Sequence, residues 1–198
     1  MDGISKNKGE AMSLLSVIIP AYNEQESVPY AAESISGILE AAEIDFEIIF
    51  VDDGSKDGTF QEITALSLED SRVRGLSFSR NFGKEAAIFA GLAAVKGDCC
   101  VVIDCDLQHP PELIPEMYRL WESGYQIVEG VKKDRGKESF FHRTASNLFY
   151  RSISRMSGFD MRNSSDFKFL DREVVDTLTA LPEKSMFFRG LSFWVGYK

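Results

Sequence analysis

Cysteine is scarce in this chain, and the spacing of its few cysteines matches neither a disulfide framework nor a metal site. There are three among 198 residues, and two of them, Cys99 and Cys100, are adjacent. Cys105 has no His or Cys partner at the spacing of a zinc site. The sequence therefore excludes a disulfide-stapled scaffold and a zinc module, and it favours a reducing, cytosolic setting.

Positive charge and long apolar runs are also lacking. The 22 Lys and Arg are outnumbered by 31 Asp and Glu, which gives a net charge of −9, whereas general nucleic-acid binders need an excess of positive charge. No apolar run approaches the roughly 20 residues that span a bilayer. Residues 1–13 are polar, unlike a secretory signal, and are predicted to be a disordered leader or an expression remnant. We expect no nucleic-acid partner, a soluble chain and one domain over 14–198.

Three common catalytic fingerprints are absent from the sequence. There is no G-x-G-x-x-G after the first predicted strand and no G-x-x-x-x-G-K-[ST] anywhere, which removes the dinucleotide and P-loop interpretations. The two histidines, His109 and His142, lie in no Ser or Cys nucleophile motif. A triad hydrolase is therefore a poor fit.

What the chain does contain is an alternation of short apolar runs with helical patterns, typical of an α/β domain with a mostly parallel central sheet flanked by helices. Strands are predicted over 14–20, 46–51, 73–78, 99–103, 126–131, 166–170 and 192–197. Helices are predicted over 26–42, 59–68, 84–96, 112–123, 140–156 and 172–181. Ligands of such sheets bind outside the carboxyl ends of the strands, and polar groups follow several of these runs.

Two carboxylates, Asp104 and Asp106, follow the buried run at 99–103. If the strand continued, alternation would send both side chains the same way, and such oxygen ligands suit Mg²⁺ or Mn²⁺. The alternative is a turn or helix N-cap, which Asp also favours. The buried strand before this pair and the segment 107–111 after it favour a site.

A second acidic segment, 52–59 (DDGSKDGT), invites a calcium-loop interpretation that fails. Counted from Asp53, the twelfth position is Thr64, where an EF-hand requires Glu. Two interpretations stay open for this segment. It is a turn with a helix cap, or its carboxylates reach the hydroxyl and amide groups of a nucleotide.

Six ordered motifs resemble the family 2 glycosyltransferases of the GT-A fold, and more narrowly the polyprenyl-phosphate sugar transferases, the group of dolichol-phosphate mannose synthase and bactoprenol glucosyltransferase. The resemblance covers residues 16–197, essentially the whole folded chain. Its motifs are 17–24 (VIIPAYNE), 51–55 (VDDGS), 79–84 (SRNFGK), 104–112 (DCDLQHPPE), 165–172 (SDFKFLDR) and 188–191 (FRGL). The last two indicate the lipid-phosphate branch.

The resemblance implies a role for each matching residue. Nucleotide-sugar base and ribose would be bound by Pro20, Tyr22, Glu24 and Asp53. Asp104 would lie by the ribose and diphosphate, and Asp106 and Gln108 would hold Mg²⁺ or Mn²⁺. Asp166 would lie near the transferring sugar, and Arg189 near the donor diphosphate or the acceptor phosphate, which its bidentate fork suits. The catalytic residues implied are Asp166, Arg189 and Asp104.

The implied activity is an inverting, metal-dependent transfer of a sugar from a UDP- or GDP-linked donor to a polyprenyl phosphate, undecaprenyl or dolichyl. UDP-glucose is the favoured donor, ahead of other UDP-sugars and GDP-mannose. Two alternatives stay open. One is a family 2 enzyme that transfers to a sugar or protein hydroxyl, and the other is a catalytically silent nucleotide-sugar-binding module.

The segment 132–155 carries seven basic and two acidic residues within an otherwise acidic chain. We expect it to lie against anionic lipid at the cytoplasmic face of a membrane, or to form an ordinary helix packed on the domain. The chain ends within the strand predicted at 192–197, so truncation before C-terminal transmembrane helices is a further expectation. A monomer and a homo-oligomer both stay open.

Overall fold

The computed structural model describes residues 13–131, 165–182 and 187–198 as an α/β fold. Its strands are β1 (Leu15–Ala21), β2 (Phe46–Asp52), β3 (Val73–Ser77), β4 (Cys99–Val102), β5 (Ile127–Glu129) and β6 (Lys168–Asp171). Its helices are α1 (Ser27–Ala41), α2 (Thr59–Glu69), α3 (Lys84–Ala94), α4 (Ile114–Glu122), α5 (Arg172–Ala180) and α6 (Phe188–Trp194). A 3₁₀ turn, Pro111–Leu113, precedes α4.

The six strands form one sheet in the order β3-β2-β1-β4-β6-β5. The β1–β2, β2–β3 and β1–β4 pairs are parallel, and β6 runs antiparallel to both β4 and β5. In the β1 register, Ile18 lies opposite Ile49 on one side and Val102 on the other. The expected mostly parallel sheet is therefore confirmed, and the strands β1, β2, β3 and β4 place their carboxyl ends along one edge.

Two apolar clusters cover the two faces of the sheet, because successive side chains of a strand point to opposite faces. Val17 and Ile19 belong to the cluster that includes α1, α2 and α4, and Ile18 belongs to the cluster that includes α3, α5 and α6. All seven residues of β1 and all seven of β2 are buried. This rigid, doubly covered sheet holds the loops at its carboxyl edge in place.

The strand predicted over 192–197 is wrong, because residues 188–194 form α6 and the chain therefore does not end within a strand. Phe188 and Ser192 are both buried and lie one helical turn apart, and Leu191 and Val195 pack against the same cluster. This spacing of three and four residues is the helical period. The aromatic and branched residues favour a strand locally, but packing against α3 and α5 decides the conformation.

Candidate functional site

A cavity of about 320 Å³ opens at the carboxyl edge of the parallel strands. It is lined by Pro20, Ala21, Tyr22, Glu24, Asp53, Asn81, Gly83, Lys84, Ala87, Asp104, Cys105 and Asp106. Six of the residues that the sequence assigns to a site therefore meet here: Pro20, Tyr22, Glu24, Asp53, Asp104 and Asp106. Gln108, Asp166 and Arg189 do not line the cavity, although Asp166 is linked to it through Lys84.

Hydrogen bonds join the loop after β1 to the loop after β2 and so fix one wall of the cavity. The Asn23 backbone N–H donates to Ser55 Oγ at 2.9 Å, and the Asn23 side-chain oxygen accepts the Lys56 N–H at 2.9 Å. The Glu24 amide donates to Thr59 Oγ1 at 2.8 Å. Asn23 has a φ of 56°, in the left-handed region that Asn tolerates better than most residues. These contacts hold Tyr22 and Glu24 at the cavity.

The segment 52–59 forms a turn and a helix start, which was one of the two interpretations left open, and it also brings one carboxylate to the cavity. Asp57 accepts the Thr59 N–H at 3.0 Å at the start of α2, and Asp52 accepts the Ser55 N–H at 3.0 Å, so these two carboxylates stabilise the turn and the helix start. Asp53 instead lines the cavity, where its two oxygens accept the backbone N–H groups of Phe82 at 2.7 Å and Gly83 at 2.9 Å. Its assignment to base or ribose stays a prediction.

Gly54 allows the loop after β2 to pack against the loop after β3. Its φ is +67°, and a Cβ built there would lie 2.3 Å from the Arg80 carbonyl carbon. We expect Gly54→Ala to lower the free energy of unfolding by about 2 kcal/mol or more, since both the backbone angle and the clash oppose a side chain. Urea unfolding measures this loss.

Gly37 provides the matched control for Gly54. It lies on the exposed side of α1, where a Cβ would meet nothing within 4 Å. Gly37→Ala is expected to raise the free energy of unfolding by about 0.5–1 kcal/mol, because Ala loses less conformational freedom than Gly in a helix. Equal unfolding midpoints for the two Ala variants would contradict this account of Gly54.

An ion-pair network connects the cavity to Asp166. Lys84 Nζ lies 2.6 Å from Asp104 Oδ1 and 2.9 Å from Asp166 Oδ2. Arg189 donates two hydrogen bonds to the same Asp166 carboxylate, from Nε to Oδ1 at 2.6 Å and from Nη2 to Oδ2 at 2.7 Å. Two cations from different helices, α3 and α6, thus converge on one buried carboxylate.

The two cations fix the ionisation of Asp166. Burial alone would raise the pKa of this carboxyl, but the Arg189 hydrogen bonds and the Lys84 charge outweigh burial and lower the pKa to about 2. Burial disfavours the charged form of Lys84, but the charges and hydrogen bonds of Asp104 and Asp166 outweigh burial and raise the pKa of Lys84. Asp166 and Lys84 are therefore both charged at neutral pH.

Glu85 ties the helix that carries Arg189 to the cavity wall. Its carboxylate accepts the Phe188 N–H at 2.7 Å, at the first residue of α6. Burial, followed by the nearby Asp166 charge, raises the pKa of Glu85. Glu85 follows Lys84 on α3. The start of this helix therefore contacts Asp104 through Lys84, and it contacts the first residue of α6, the helix that carries Arg189, through Glu85.

The turn after β4 presents the residues predicted to hold a metal. The strand ends at Val102, so Asp104 and Asp106 lie in a turn and the alternation of a continuing strand does not apply to them. Asp106 and Gln108 are exposed, and Asp106 Oδ1 accepts the Gln108 N–H at 3.1 Å. Across residues 13–131, 165–182 and 187–198, no three His, Cys, Asp or Glu form a metal-binding group. An oxygen-only set this small fits an Mg²⁺ or Mn²⁺ ion that also takes water and phosphate oxygens.

Sequence reasoning assigned no role to Lys84, Asn81 or Gly83, although all three line the cavity. Each lies in the 79–84 motif, which was the available signal. Cys105 also lines the cavity, but burial raises the pKa of its thiol to about 12, so it is not a thiolate nucleophile at neutral pH.

The membrane-binding prediction for 132–155 lies outside the described residues, as does most of the 1–13 leader. Within the described part of the chain, no helix has the length and hydrophobicity needed to cross a membrane.

The sheet order, the carboxylates at its parallel edge and the acidic turn after β4 define the GT-A class of α/β domain. The chain belongs to glycosyl transferase family 2, whose pattern it matches over residues 16–179. The family resemblance noted in the sequence is thereby confirmed.

Two relatives illustrate this membership. An uncharacterized glycosyltransferase of Bacillus subtilis, YkcC, is 41% identical over 184 residues, which cover 92% of this chain and 57% of YkcC. The bactoprenol glucosyl transferase of Shigella phage SfV is 38% identical over 183 residues, covering 92% of this chain and 60% of that protein. The chain thus spans less than two thirds of the length of these curated relatives.

Solved structures agree with the fold. Glucosyl-3-phosphoglycerate synthase from Mycobacterium tuberculosis, in complex with Mn²⁺, UDP and glucosyl-3-phosphoglycerate, is 27% identical, with a TM-score of 0.64 over 90% of this chain and 63% of that one. The mannosyltransferase PcManGT from Pyrobaculum calidifontis, in complex with GDP-Man and Mn²⁺, is 20% identical, with a TM-score of 0.59 over 85% of this chain and 47% of that one.

Proposed function

We propose that this domain transfers a sugar, with inversion, from a nucleotide-sugar donor to a polyprenyl phosphate in a metal-dependent reaction. The observation that carries the proposal is the convergence of Lys84 and Arg189 on Asp166 beside an acidic cavity. Two cations and a fixed carboxylate are the charges needed where a diphosphate leaves and a sugar carbon becomes positive.

The donor is proposed to be a UDP-sugar, with UDP-glucose favoured. Two comparisons support this choice: a relative 38% identical is named a bactoprenol glucosyl transferase, and a structural neighbour 27% identical was solved with UDP and Mn²⁺. The base and ribose would occupy the cavity wall formed by Pro20, Tyr22, Glu24 and Asp53. Asp104, between this wall and Lys84, would lie by the ribose and diphosphate.

A bound Mg²⁺ or Mn²⁺, held by Asp106 and Gln108, would neutralise charge on the donor diphosphate. The chain's own cations would act on the same oxygens. Lys84 and Arg189 are held by carboxylates in the structure, and donor phosphate oxygens would compete for them. Both side chains bear permanent charge at neutral pH, so they would stabilise the leaving diphosphate without a proton transfer.

Asp166 is proposed to stabilise or position the sugar rather than to accept a proton. A carboxylate whose pKa is about 2 is a weak base at neutral pH. A phosphate monoester acceptor needs little help from a base, since its second pKa lies near ~6 and it is already largely ionised. Attack of a phosphate oxygen on the sugar C1 forms the new C–O bond, breaks the bond to the diphosphate in line, and inverts the anomeric configuration.

Asp166 is already paired with Lys84 and Arg189 in the structure, which suits an ionised phosphate acceptor better than a sugar or protein hydroxyl that requires removal of a proton. The alternative of a silent nucleotide-sugar-binding module is disfavoured by the presence of Asp104, Asp106 and Gln108 together on one turn. Hydrolysis of the donor in the presence of Mn²⁺ distinguishes a catalyst from a silent module.

The segment 132–155 is proposed to bring the domain to the cytoplasmic face of a membrane, where a lipid-linked acceptor resides. Anionic headgroups attract each basic residue near the surface by about 1 kcal/mol. We expect the chain to pellet with anionic liposomes more than with neutral ones, and a variant with Arg143, Arg151 and Arg155 replaced by Glu to lose that preference. Equal pelleting of both proteins on both lipids would contradict it. C-terminal transmembrane helices stay a prediction, and the choice between a monomer and a homo-oligomer stays open.

Calorimetry with a panel of nucleotide sugars, with and without Mn²⁺, tests the donor. UDP-glucose is expected to bind more tightly than UDP-N-acetylglucosamine and GDP-mannose, and to require Mn²⁺ for that affinity. A thermal shift should follow the same order, because a ligand that binds only the native state raises the melting temperature. Failure of every nucleotide sugar to bind with Mn²⁺ would overturn the proposed function.

A further inference from the structure

The turn after β4 has a strained backbone that is held by local hydrogen bonds and by contacts with other segments. Leu107 has a φ of 49° in the left-handed region, which is unusual for a residue without a local polar side chain. Its side chain packs against the apolar cluster beneath the turn. Asp104, Asp106 and Gln108 surround Leu107, so the geometry of the proposed donor and metal ligands depends on what fixes this turn.

His109 anchors the far end of the turn to a distant segment. Its Nε2 is hydrogen-bonded to Ser165 Oγ at 3.0 Å, across 56 positions of sequence. Its ring also stacks on Phe167, with centroids 5.3 Å apart and planes 30° apart. Both partners lie in the segment that leads into β6, on either side of Asp166.

Ser165 is itself held by the neighbouring strands. Its backbone N–H donates to the Glu129 carboxylate of β5, and its Oγ accepts the Phe167 N–H at 3.1 Å. Glu129 also pairs at 3.0 Å with Lys168, whose side chain is 1% exposed. Ser165 is therefore held both by β5 and by the segment that leads into β6.

Two links thus join the turn after β4 to Asp166. One runs through Lys84, which contacts both Asp104 and Asp166 and which donor phosphates would compete for. The other runs through His109 and Ser165, neither of which is among the described residues lining the cavity. The second link ends on the uncharged hydroxyl of Ser165 and does not involve Lys84. It therefore does not depend on Lys84 staying in place.

We propose that His109 is a positioning residue, which acts through Ser165 to fix the spacing between the 104–108 turn and Asp166 during transfer. This inference rests on the proposed function, because it is this spacing that would align the donor diphosphate with the carboxylate beside the sugar. His109 is not among the described residues that line the cavity, so it would act on the donor site through Ser165.

Kinetics of four variants test the proposal. His109→Ala is expected to lower kcat for transfer about 10–100-fold, since a displacement near 1 Å can cost this much, while the KM for the donor changes less than about threefold. His109→Gln, whose side-chain amide can still reach Ser165, should recover most of kcat. Ser165→Ala should lower kcat over the same range, and the loss in the double variant should be clearly smaller than the product of the two single losses, because both variants remove the shared His109–Ser165 bond.

Ser16→Ala is the matched control for a loss of stability alone. Ser16 is buried near the amino end of the central strand β1, away from the cavity, and its hydroxyl donates to Glu47 at 2.6 Å. This variant should melt at a lower temperature yet keep kcat within about twofold of the wild type. A kcat for His109→Ala within twofold of the wild type, multiplying losses in the double variant, or an equal loss in Ser16→Ala would each overturn the proposal.

Hydrogen–deuterium exchange separates failure of this proposal from failure of the proposed function. In the unliganded protein, His109→Ala should speed amide exchange in both 104–109 and 165–167 and leave 53–59 unchanged. If the wild type showed no transferase activity but exchange rose in both segments, the proposed function would fall and the coupling would stand. Unchanged exchange in 165–167 would overturn the coupling whatever the activity.

Discussion

Asp106→Ala is expected to weaken Mn²⁺-dependent UDP-sugar binding by at least about 100-fold, since loss of even an outer-sphere partner of a metal costs 10–100-fold. The fold should survive, because Asp106 is exposed in the turn after β4 and its carboxylate accepts the N–H of nearby Gln108. Calorimetry with and without Mn²⁺ measures the affinity, and the melting temperature without ligand reports the fold.

Asp176→Ala is the matched control for Asp106→Ala. Asp176 is an exposed carboxylate on α5, 3.6 Å from Arg172, and such surface pairs contribute little to stability. Its removal takes away the same charge far from the turn, so the Mn²⁺-dependent affinity should be unchanged. If Asp106→Ala bound the donor with Mn²⁺ as tightly as Asp176→Ala does, the metal assignment would be wrong.

Asp166→Asn is expected to lower kcat for transfer by about 10²–10³-fold without weakening UDP binding. The amide removes the negative charge beside the sugar, and mutations at groups that stabilise transition-state charge have effects of this order. Binding of UDP should hold or improve, because Lys84 and Arg189 lose the carboxylate that competes with phosphate. Single-turnover kinetics and UDP calorimetry measure the two quantities separately.

The same substitution at Asp52 controls for the loss of a buried carboxylate. Asp52 is 2% exposed at the end of β2 and accepts the Ser55 N–H and the Ser77 hydroxyl. Asp52→Asn should lower stability but keep kcat within about fivefold of the wild type. Equal kcat losses in the two Asn variants would mean that Asp166 acts only through the fold.

The ion pairs of Asp166 should also be visible in the pH dependence of stability. The folded-state pKa is about 2, below the ordinary value of 3.8, so the stabilisation is complete above about pH 4 and is lost as the pH falls through about 2. Urea unfolding of the wild type and Asp166→Asn should therefore differ most at neutral pH, and the difference should shrink on acidification towards pH 2.

The location of the strand-end residues was predictable, because the loops that follow neighbouring parallel strands lie at the same edge of the sheet. Pro20, Asp53 and Asp104 end or follow apolar runs, and parallel pairing of β1 with β2 and β4 brings them to one edge. The contacts that each side chain makes at this edge were harder to predict from the sequence. The bonds from Phe82 and Gly83 to Asp53 depend on how the loop after β3 folds back, which no spacing encodes.

Contacts between distant segments escaped sequence reasoning. Lys84 lies in a recognised motif, yet its bridge between Asp104 and Asp166 needs three elements in place. The His109–Ser165 bond spans 56 positions and carries no local pattern. The segment 192–197 was predicted as a strand from its composition, because a run this short does not reveal the helical spacing that Phe188 and Ser192 acquire in the packed fold.

Transfer of radiolabelled glucose from UDP-glucose to a soluble short-chain polyprenyl phosphate is the most direct test of the proposed function. With Mn²⁺ or Mg²⁺ present, the chain is expected to form a lipid-phosphate-linked glucose of inverted anomeric configuration. It should form no product with the matching polyprenol or with an oligosaccharide acceptor. Transfer to either hydroxyl acceptor in place of the lipid phosphate would contradict the assignment of the acceptor and the role given to Asp166.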